Sequence, residues 1–165
     1  MNEIFHRTSV RKYTDTPVDR DTIEQILRAG MQAPSAVNQQ PWEFYVVTDN
    51  ATLAELATVS PYAGMTAGAA ACIVSCYRVG CLRPEYAQID LSICMENIWL
   101  ETDHLGLGGV WLGIAPIEER MQAVEKILNI PDSLRAFALF PFGHPAETKK
   151  QADRFEPARI HWWQP

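Results

Sequence analysis

The stretch Ala33-Pro-Ser-Ala-Val-Asn-Gln-Gln-Pro-Trp42 is the connection around which the rest of the chain is organised. It follows a segment with helical periodicity and precedes a strand-like run at residues 43–48. Its two prolines stiffen the backbone, and neither end can continue a helix. Between them lie uncharged side chains that can donate and accept hydrogen bonds, namely Ser35, Asn38, Gln39 and Gln40. Such a loop suits recognition of a flat, neutral, heteroatom-rich ligand, although an ordinary helix-to-strand connection has a similar composition.

Length and composition predict one globular domain. The chain has 165 residues, of which 47% are hydrophobic and 21% charged, and a chain of this length can bury roughly two-thirds of its unfolded surface. The net charge of −6 argues against a nucleic-acid partner, which would require a basic face. No apolar run approaches the ~20 residues of a membrane span, and Glu3 makes the N-terminus unlike a signal peptide.

The four cysteines have no C-x-x-C spacing, and three of them lie in or just after the apolar run 69–77. Buried, reduced thiols in a cytoplasmic protein explain this pattern better than a metal site or disulfides.

Hydrophobic periodicity predicts alternating helices and strands. The predicted helices are residues 2–7, a segment from Pro17 to Ala33 capped by Asp19 or Asp21, about 51–59, Pro84 to about Leu105, and Ile117–Ile130. The predicted strands are Phe44–Thr48, Ala69–Tyr77, Val110–Ile114 and Arg135–Phe142.

The helix predicted from Pro84 carries apolar residues on more than one face. Leu91, Met95 and Ile98 form one stripe, whereas Ile89 and Ile93 lie on other faces. Such a helix must be buried on more than one side, so we expect a second subunit to cover one of them.

The last eleven residues are unusually apolar for a terminus, with Phe155, Ile160, Trp162 and Trp163. Exposed clusters of this kind usually mark an interface. We therefore expect the tail to pack on a neighbouring subunit, with packing on its own domain as the alternative.

A basic cluster near the N-terminus has the composition of an anion site. Arg7, Ser9 and Arg11 alternate, so in an extended segment their side chains point the same way. Two guanidiniums and a hydroxyl on one face suit a phosphate dianion. A basic edge that is simply exposed to solvent would have the same sequence pattern. A second cluster, Lys149, Lys150 and Arg154, could close over the same anion, but the sequence favours a solvated tail.

Other chemistry finds little support in the sequence. The glycines of 106–113 follow a helix instead of a strand, so they do not form a dinucleotide-binding fingerprint. The four histidines lack metal-ligand spacing, and no serine or cysteine stands in a nucleophile motif. What remains is a phosphate anchor, a neutral loop and a buried helix, which fits a phosphorylated planar cofactor that carries its own chemistry.

Taken together and in order, five motifs resemble the nitroreductase family of FMN-dependent oxidoreductases. They are Arg7-Thr-Ser-Val-Arg-Lys-Tyr13, Ala33-Pro-Ser-Ala-Val-Asn38 with Gln40-Pro-Trp42, Asn97-Ile-Trp-Leu100, Leu105-Gly-Leu-Gly108 with Trp111 and Gly113, and Phe142-Gly-His-Pro145 leading to Arg154. The resemblance implies an α+β fold with a mixed, mainly antiparallel sheet surrounded by helices. It also implies an intertwined homodimer in which residues 1–165 form one FMN-binding domain and the tail from about 150 packs on the partner.

The resemblance also assigns residues to the cofactor. Arg7, Thr8, Ser9 and Arg11 would hold the FMN phosphate and ribityl chain, with Arg154 closing on the phosphate. Pro34, Ser35, Ala36 and Asn38 would meet the flavin of the other subunit, with Gln40 nearby, and Val110, Trp111, Leu112 and Gly113 would lie along the isoalloxazine.

The activity implied is ping-pong transfer of electrons from NADH or NADPH to a small nitroaromatic, quinone or similar acceptor. No residue is expected to act as acid or base, because binding and orientation suffice. A flavin carrier or redox sensor, reductive dehalogenation and oxidative tailoring on the same fold are the alternatives. The brief region between Thr58 and Ala69 leaves the acceptor open.

Overall fold

The structure, a computed structural model, describes residues 3–163. The helices are α1 (Glu3–His6), α2 (Arg20–Met31), α3 (Asn50–Leu56), α4 (Ala87–His104) and α5 (Glu118–Leu128). The strands are β1 (Trp42–Val47), β2 (Ala71–Arg78), β3 (Gly108–Gly109), β4 (Leu112–Gly113) and β5 (Leu134–Gly143). They form one sheet in the order β1-β2-β5-β3, with β4 also paired to β5, and each pairing of named strands is antiparallel. The predicted α+β fold is confirmed.

The sheet separates two hydrophobic clusters. The side chains of successive strand residues point to opposite faces, so Ile73 of β2 packs with α2 and α4, whereas Val74 packs with α3 and α5. Ile98 of α4 and Leu53 of α3 are fully buried on their respective sides. The sheet is therefore covered on both faces.

Two aspartates begin the helices that precede and follow β1. The Asp19 carboxylate accepts from the Thr22 amide at 2.8 Å, and Asp49 accepts from Thr52 at 2.9 Å. These bonds satisfy backbone donors that have no partner within the helix. The predicted cap at Asp19 is confirmed.

The single strand predicted over Val110–Ile114 is wrong. The chain forms β3 and β4 instead, and both keep one register against β5, since Gly109 pairs with Phe142 and Leu112 with Leu139. That register sets Pro141 opposite Val110. Proline has no amide hydrogen to donate, so the ladder is interrupted there, although the Val110 amide still donates to the Pro141 carbonyl at 3.2 Å.

Two predicted helices differ from the structure at their ends. The helix predicted at about 51–59 stops at Leu56, where the next residues form a turn. The long helix begins with a separate 3₁₀ turn at Pro84–Tyr86, before α4 starts at Ala87.

Two crossed histidine–carboxylate pairs fasten α1 to the end of α4. His6 Nδ1 lies 2.8 Å from Asp103 Oδ2, and His104 Nδ1 lies 2.8 Å from Glu3 Oε1. In each pair the hydrogen bond to the carboxylate raises the pKa of the histidine. The pairs hold the residues that immediately precede Arg7.

The cysteines are all free, and Cys72, Cys76 and Cys94 are buried. Burial raises the pKa of each of these three thiols to about 12, so they remain neutral and unreactive. Within residues 3–163, no helix is long and apolar enough to cross a membrane.

We expect Gly108→Ala to lower the free energy of unfolding by about 1–3 kcal/mol, because the added methyl group would crowd the side chain of Val10. An alanine Cβ at this position would lie 2.7 Å from Cβ of Val10, a buried, β-branched side chain with little room to move. Urea denaturation measures the change. Gly80→Ala is the control, since its Cβ would meet nothing within 4 Å; equal midpoints for both variants would contradict the prediction.

Candidate functional site

Residues 7–11, here called the anchor segment, lie along β3. Ser9 forms a parallel bridge with Gly109, and the Val10 amide donates to the Gly109 carbonyl at 3.0 Å. The Tyr13 hydroxyl then lies 2.9 and 3.0 Å from the carbonyl oxygens of Val10 and Pro141 and shares its one hydrogen between them. The anchor segment is thus fixed to the edge of the sheet.

The two guanidiniums of the anchor segment have different neighbours. That of Arg7 lies 3.9 Å from the ring centroid of Trp99 on α4, with Nε 3.7 Å from Glu96, and its side chain is 17% exposed. That of Arg11 is exposed and lines a cavity. The two side chains therefore have different surroundings. At the end of α1, the Arg7 amide still donates to the Glu3 carbonyl.

Lys149 and Arg154 of the second basic cluster lie beside the anchor segment, although both remain exposed to solvent as the sequence favoured. Lys149 Nζ donates to the Ser9 carbonyl at 2.9 Å. Gln151 donates to the Arg7 carbonyl at 2.7 Å and accepts from Arg154 Nη1 at 2.7 Å. These contacts collect Lys149 and Arg154 next to Arg7 and Ser9. Thr8 lies between them and is partly buried.

A carboxylate connects the two basic segments. Glu147 lies 2.8 Å from Lys149 Nζ and accepts from the Arg11 amide at 2.7 Å. The bond with Lys149, followed by that from the Arg11 amide, lowers the pKa of Glu147. It therefore remains ionised and offsets part of the positive charge.

A half-open cavity of about 650 Å³ adjoins the anchor segment. Four of its lining residues were predicted from the sequence: Arg11, Trp111, Leu112 and Gly113. Val110, also predicted, is 2% exposed and packs into the core below. Trp111 is braced edge-to-face by Phe137, with ring centroids 5.8 Å apart.

Six other residues line the same cavity and were missed. They are Ser60, Pro61, Tyr62, Gly64, Met65 and Arg120. They carry no motif, and only the mixture of turn formers and an aromatic after α3 could have drawn attention to the first five. Nothing in the sequence marks Arg120 as a site residue, because a polar residue is expected on the solvent-facing side of an amphipathic helix.

The loop 33–42 is held by a buried carboxylate that the sequence did not reveal. Asp90 of α4 is 3% exposed and accepts from the Ala36 amide at 2.9 Å and from Gln39 Nε2 at 2.7 Å. Ser35 Oγ accepts from the Gln40 amide at 2.9 Å. Ser35, Ala36 and Gln39 therefore shape the loop from within.

Three non-glycine residues of the loop have left-handed backbone angles. The φ values are 48° at Val37, 54° at Asn38 and 44° at Gln40. Such angles are strained for L residues and persist only where neighbouring contacts enforce them. The side chains of Pro34, Asn38 and Gln40 remain exposed, and so are presented outward.

The loop and the anchor segment meet α4 at separate places. The loop is attached at Asp90, whereas Arg7 packs on Trp99. Nine helical residues correspond to about 13 Å along the axis. No residue of the loop lines the cavity within the described chain, so the structure brings together the anchor segment, the tail cations and the wall Trp111–Gly113, but not Pro34–Gln40.

Comparison with known proteins agrees with this architecture of an antiparallel sheet covered by helices on both faces. A model of the nitroreductase family matches residues 4–72 and 61–144. A protein of Archaeoglobus fulgidus, provisionally named NADH dehydrogenase/NAD(P)H nitroreductase, is 40% identical over 166 residues, which cover 98% of this chain and 95% of that one. The chain belongs to the nitroreductase family.

Two solved structures are similar over nearly the whole chain. A provisionally named NADH oxidase from Clostridium acetobutylicum has a TM-score of 0.95 at 38% identity and matches over 99% of each chain. A provisionally named nitroreductase from Desulfovibrio desulfuricans, solved in complex with FMN, has a TM-score of 0.84 at 29% identity, over 99% of this chain and 95% of that one.

We expect Asp90→Ala to loosen the loop and to lower the free energy of unfolding by about 1–3 kcal/mol, because the Ala36 amide loses its acceptor. Hydrogen exchange of peptides covering residues 34–40 should accelerate. Asp103→Ala is the matched control, since it removes a carboxylate from the same helix whose partner, His6, is exposed. Unchanged exchange in the Asp90 variant would contradict the role of Asp90.

Proposed function

We propose that the protein is an FMN-dependent NAD(P)H oxidoreductase that reduces nitroaromatics, quinones or similar electron-poor acceptors. The observation that carries this proposal is the cavity bounded by Arg11 and Trp111–Gly113, with the fixed anchor segment beside it. Membership of the nitroreductase family supports the same conclusion.

The residues present fit FMN. A cavity of about 650 Å³ lies within the usual range for small-molecule sites. Arg11 forms no ion pair within residues 3–163, and Nη1 of Arg7 has no hydrogen-bond partner there. These are donors that phosphate oxygens would accept from. Arg7, Thr8, Ser9 and Arg11 would hold the phosphate and ribityl chain, Arg154 would close on the phosphate, and the segment Val110–Gly113 would lie beside the ring.

When bound, FMN would supply the redox chemistry, taking electrons from NAD(P)H and passing them to the acceptor. The protein's part is to bind and orient the reactants, which would use the same open cavity in turn, as in a ping-pong mechanism. Such transfer needs no residue that acts as acid or base, because binding and orientation suffice, so we assign none.

A homodimer would complete each site. Ile89 and Ile93 are 55% and 39% exposed on α4, and Trp162 and Trp163 are 84% and 90% exposed in the tail. Apolar area of this extent favours a protein partner, and a second copy of the chain presents the same surfaces. In the proposed dimer, Pro34, Ser35, Ala36 and Asn38 meet the flavin bound by the partner, with Gln40 nearby.

The test of the function is anaerobic reduction of the purified protein. We expect a yellow protein whose flavin absorbance is bleached by NADH or NADPH and restored by a nitroaromatic or quinone. Colourless protein that cannot be loaded with FMN would refute the proposal. Protein that holds FMN without consuming NAD(P)H with any acceptor would be a flavin carrier or sensor instead.

Arg11→Ala should weaken FMN binding by about 1–3 kcal/mol through loss of a charge-assisted hydrogen bond. Fluorescence titration of the apoprotein with FMN measures this. Lys12→Ala is the control, because it makes the same change of charge at the next, exposed position. If the two variants bind FMN with equal affinity, Arg11 does not hold the phosphate.

Deleting residues 155–165 should disrupt the dimer, because it removes the exposed aromatic side chains of the tail; positions 164 and 165 of this deletion lie outside the described residues. Sedimentation velocity over a range of protein concentrations reports the change. A truncated protein that still sediments as a stable dimer would show that the tail does not hold the subunits together.

A further inference from the structure

Arg120 lines one wall of the cavity, where its contacts with the rest of the chain are long. Its Nη1 lies 3.4 Å from the carbonyl oxygen of Gly113, a long hydrogen bond, and its guanidinium carbon lies 6.0 Å from the ring centroid of Tyr62. The side chain thus reaches from α5 to strand β4 and to the turn after α3. Both of its neighbours also line the cavity.

The charge of Arg120 is not neutralised within the described part of the chain. No carboxylate there lies within 4.0 Å of its guanidinium, although the whole chain carries a net charge of −6. The carboxylate oxygen of nearby Glu118 is taken by Arg135 at 2.6 Å and by Gln122 at 3.0 Å. Arg135 lies against two carboxylates, whereas Arg120 has none.

Helix stability does not account for Arg120 either. It lies in the first turn of α5, where a cation opposes the helix dipole. The N-terminal residue Ile117 provides no side-chain cap that would offset this. A cation placed unfavourably, unpaired and on a cavity wall has the features of a group that binds an anion.

The surroundings of Arg120 are flat and partly apolar. Tyr62 is 70% exposed, and Trp111 and Met65 line the same cavity. Aromatic rings stack on such surfaces, while a planar guanidinium binds a carboxylate through two parallel hydrogen bonds.

We propose that Arg120 and Tyr62 form an acceptor subsite that selects aromatic acceptors bearing a carboxylate. This rests on the proposed function, because it assigns a substrate class to the same cavity. Arg120 touches Gly113, in the segment proposed to lie beside the flavin ring. In an aromatic acceptor whose reacting group faces the flavin, a carboxylate on the opposite side of the ring lies only one ring width from that reacting group. In a nicotinamide nucleotide, by contrast, the phosphates are separated from the reacting ring by a ribose and lie further from the flavin. The position of Arg120 therefore favours the carboxylate.

The experiment compares two pairs of compounds that differ in charge but hardly in shape. Benzoate and benzamide, which cannot be reduced, are titrated calorimetrically into the FMN-loaded protein, and 4-nitrobenzoate and 4-nitrobenzamide are compared as acceptors. We expect the wild type to prefer the carboxylate in each pair. Arg120→Gln should raise Kd for benzoate and KM for 4-nitrobenzoate about tenfold, as for loss of one charge-assisted hydrogen bond, and leave both amides unchanged.

Further variants sharpen the test. Arg120→Lys should retain part of the preference, because it keeps the charge without the planar fork. Tyr62→Leu should weaken the acid and the amide alike. Arg28→Gln, an exposed arginine on α2 and hence on the other face of the sheet, is the control for net charge and should change nothing.

Different results would refute the acceptor subsite and the proposed function. Wild-type protein that lacks FMN or does not oxidise NAD(P)H refutes the function itself. With turnover intact, three results overturn the subsite: equal acid-to-amide ratios in wild type and Arg120→Gln, loss of FMN from Arg120→Gln, or a changed NADPH-to-NADH preference with unchanged acceptor discrimination. The last would assign Arg120 to the nucleotide.

Discussion

Val10 lies directly against the backbone of Gly108, and the position of the candidate site depends on this close approach. Any side chain at residue 108 would collide with Val10, so the absence of a Cβ lets the anchor segment come within hydrogen-bonding distance of β3. Once the segment is fixed there, the carbonyl groups of Arg7 and Ser9 accept hydrogen bonds from Gln151 and Lys149 of the tail, respectively. Arg11 reaches the cavity from the same fixed backbone.

Helix α4 sets the spacing between the loop 33–42, the anchor segment and α1. Asp90 holds the loop near its start, Trp99 supports Arg7 further along, and Asp103 and His104 fasten α1 at its end. These 18 residues span about 27 Å as a rigid rod. The loop and the anchor segment are therefore held apart on α4, and no residue of the loop lines the cavity within the described chain. The proposed dimer would bring the loop of one subunit to the anchor segment of the other, and Ile89 and Ile93 on the exposed side of α4 offer an apolar surface for it.

Local signals in the sequence predicted much of the fold, and long-range contacts account for the errors. The cap at Asp19 and the strand β2 depend on neighbouring residues, so pattern and propensity sufficed. The break between β3 and β4 depends on Pro141, which lies opposite only once the strands pair. Likewise, the contact between Lys149 of the exposed basic tail and Ser9, 140 residues away in the sequence, has no local signal. Asp90 and Arg120 were missed because burial and pairing, which distinguish them, have no counterpart in the sequence pattern.

The left-handed angles of the loop restrict which substitutions these positions can accept. Residues held in such angles cost about 1–3 kcal/mol each, against a net stability of about 5–15 kcal/mol for a typical domain. Val37 and Gln40 therefore take a substantial share of that margin, which the contacts of Asp90 and Ser35 help to offset, whereas asparagine at position 38 tolerates such an angle more readily. A substitution at one of these positions must therefore be compatible with the backbone angle as well as with the side-chain chemistry. A replacement that preserves the polar group but resists the angle is then less conservative than its chemistry suggests.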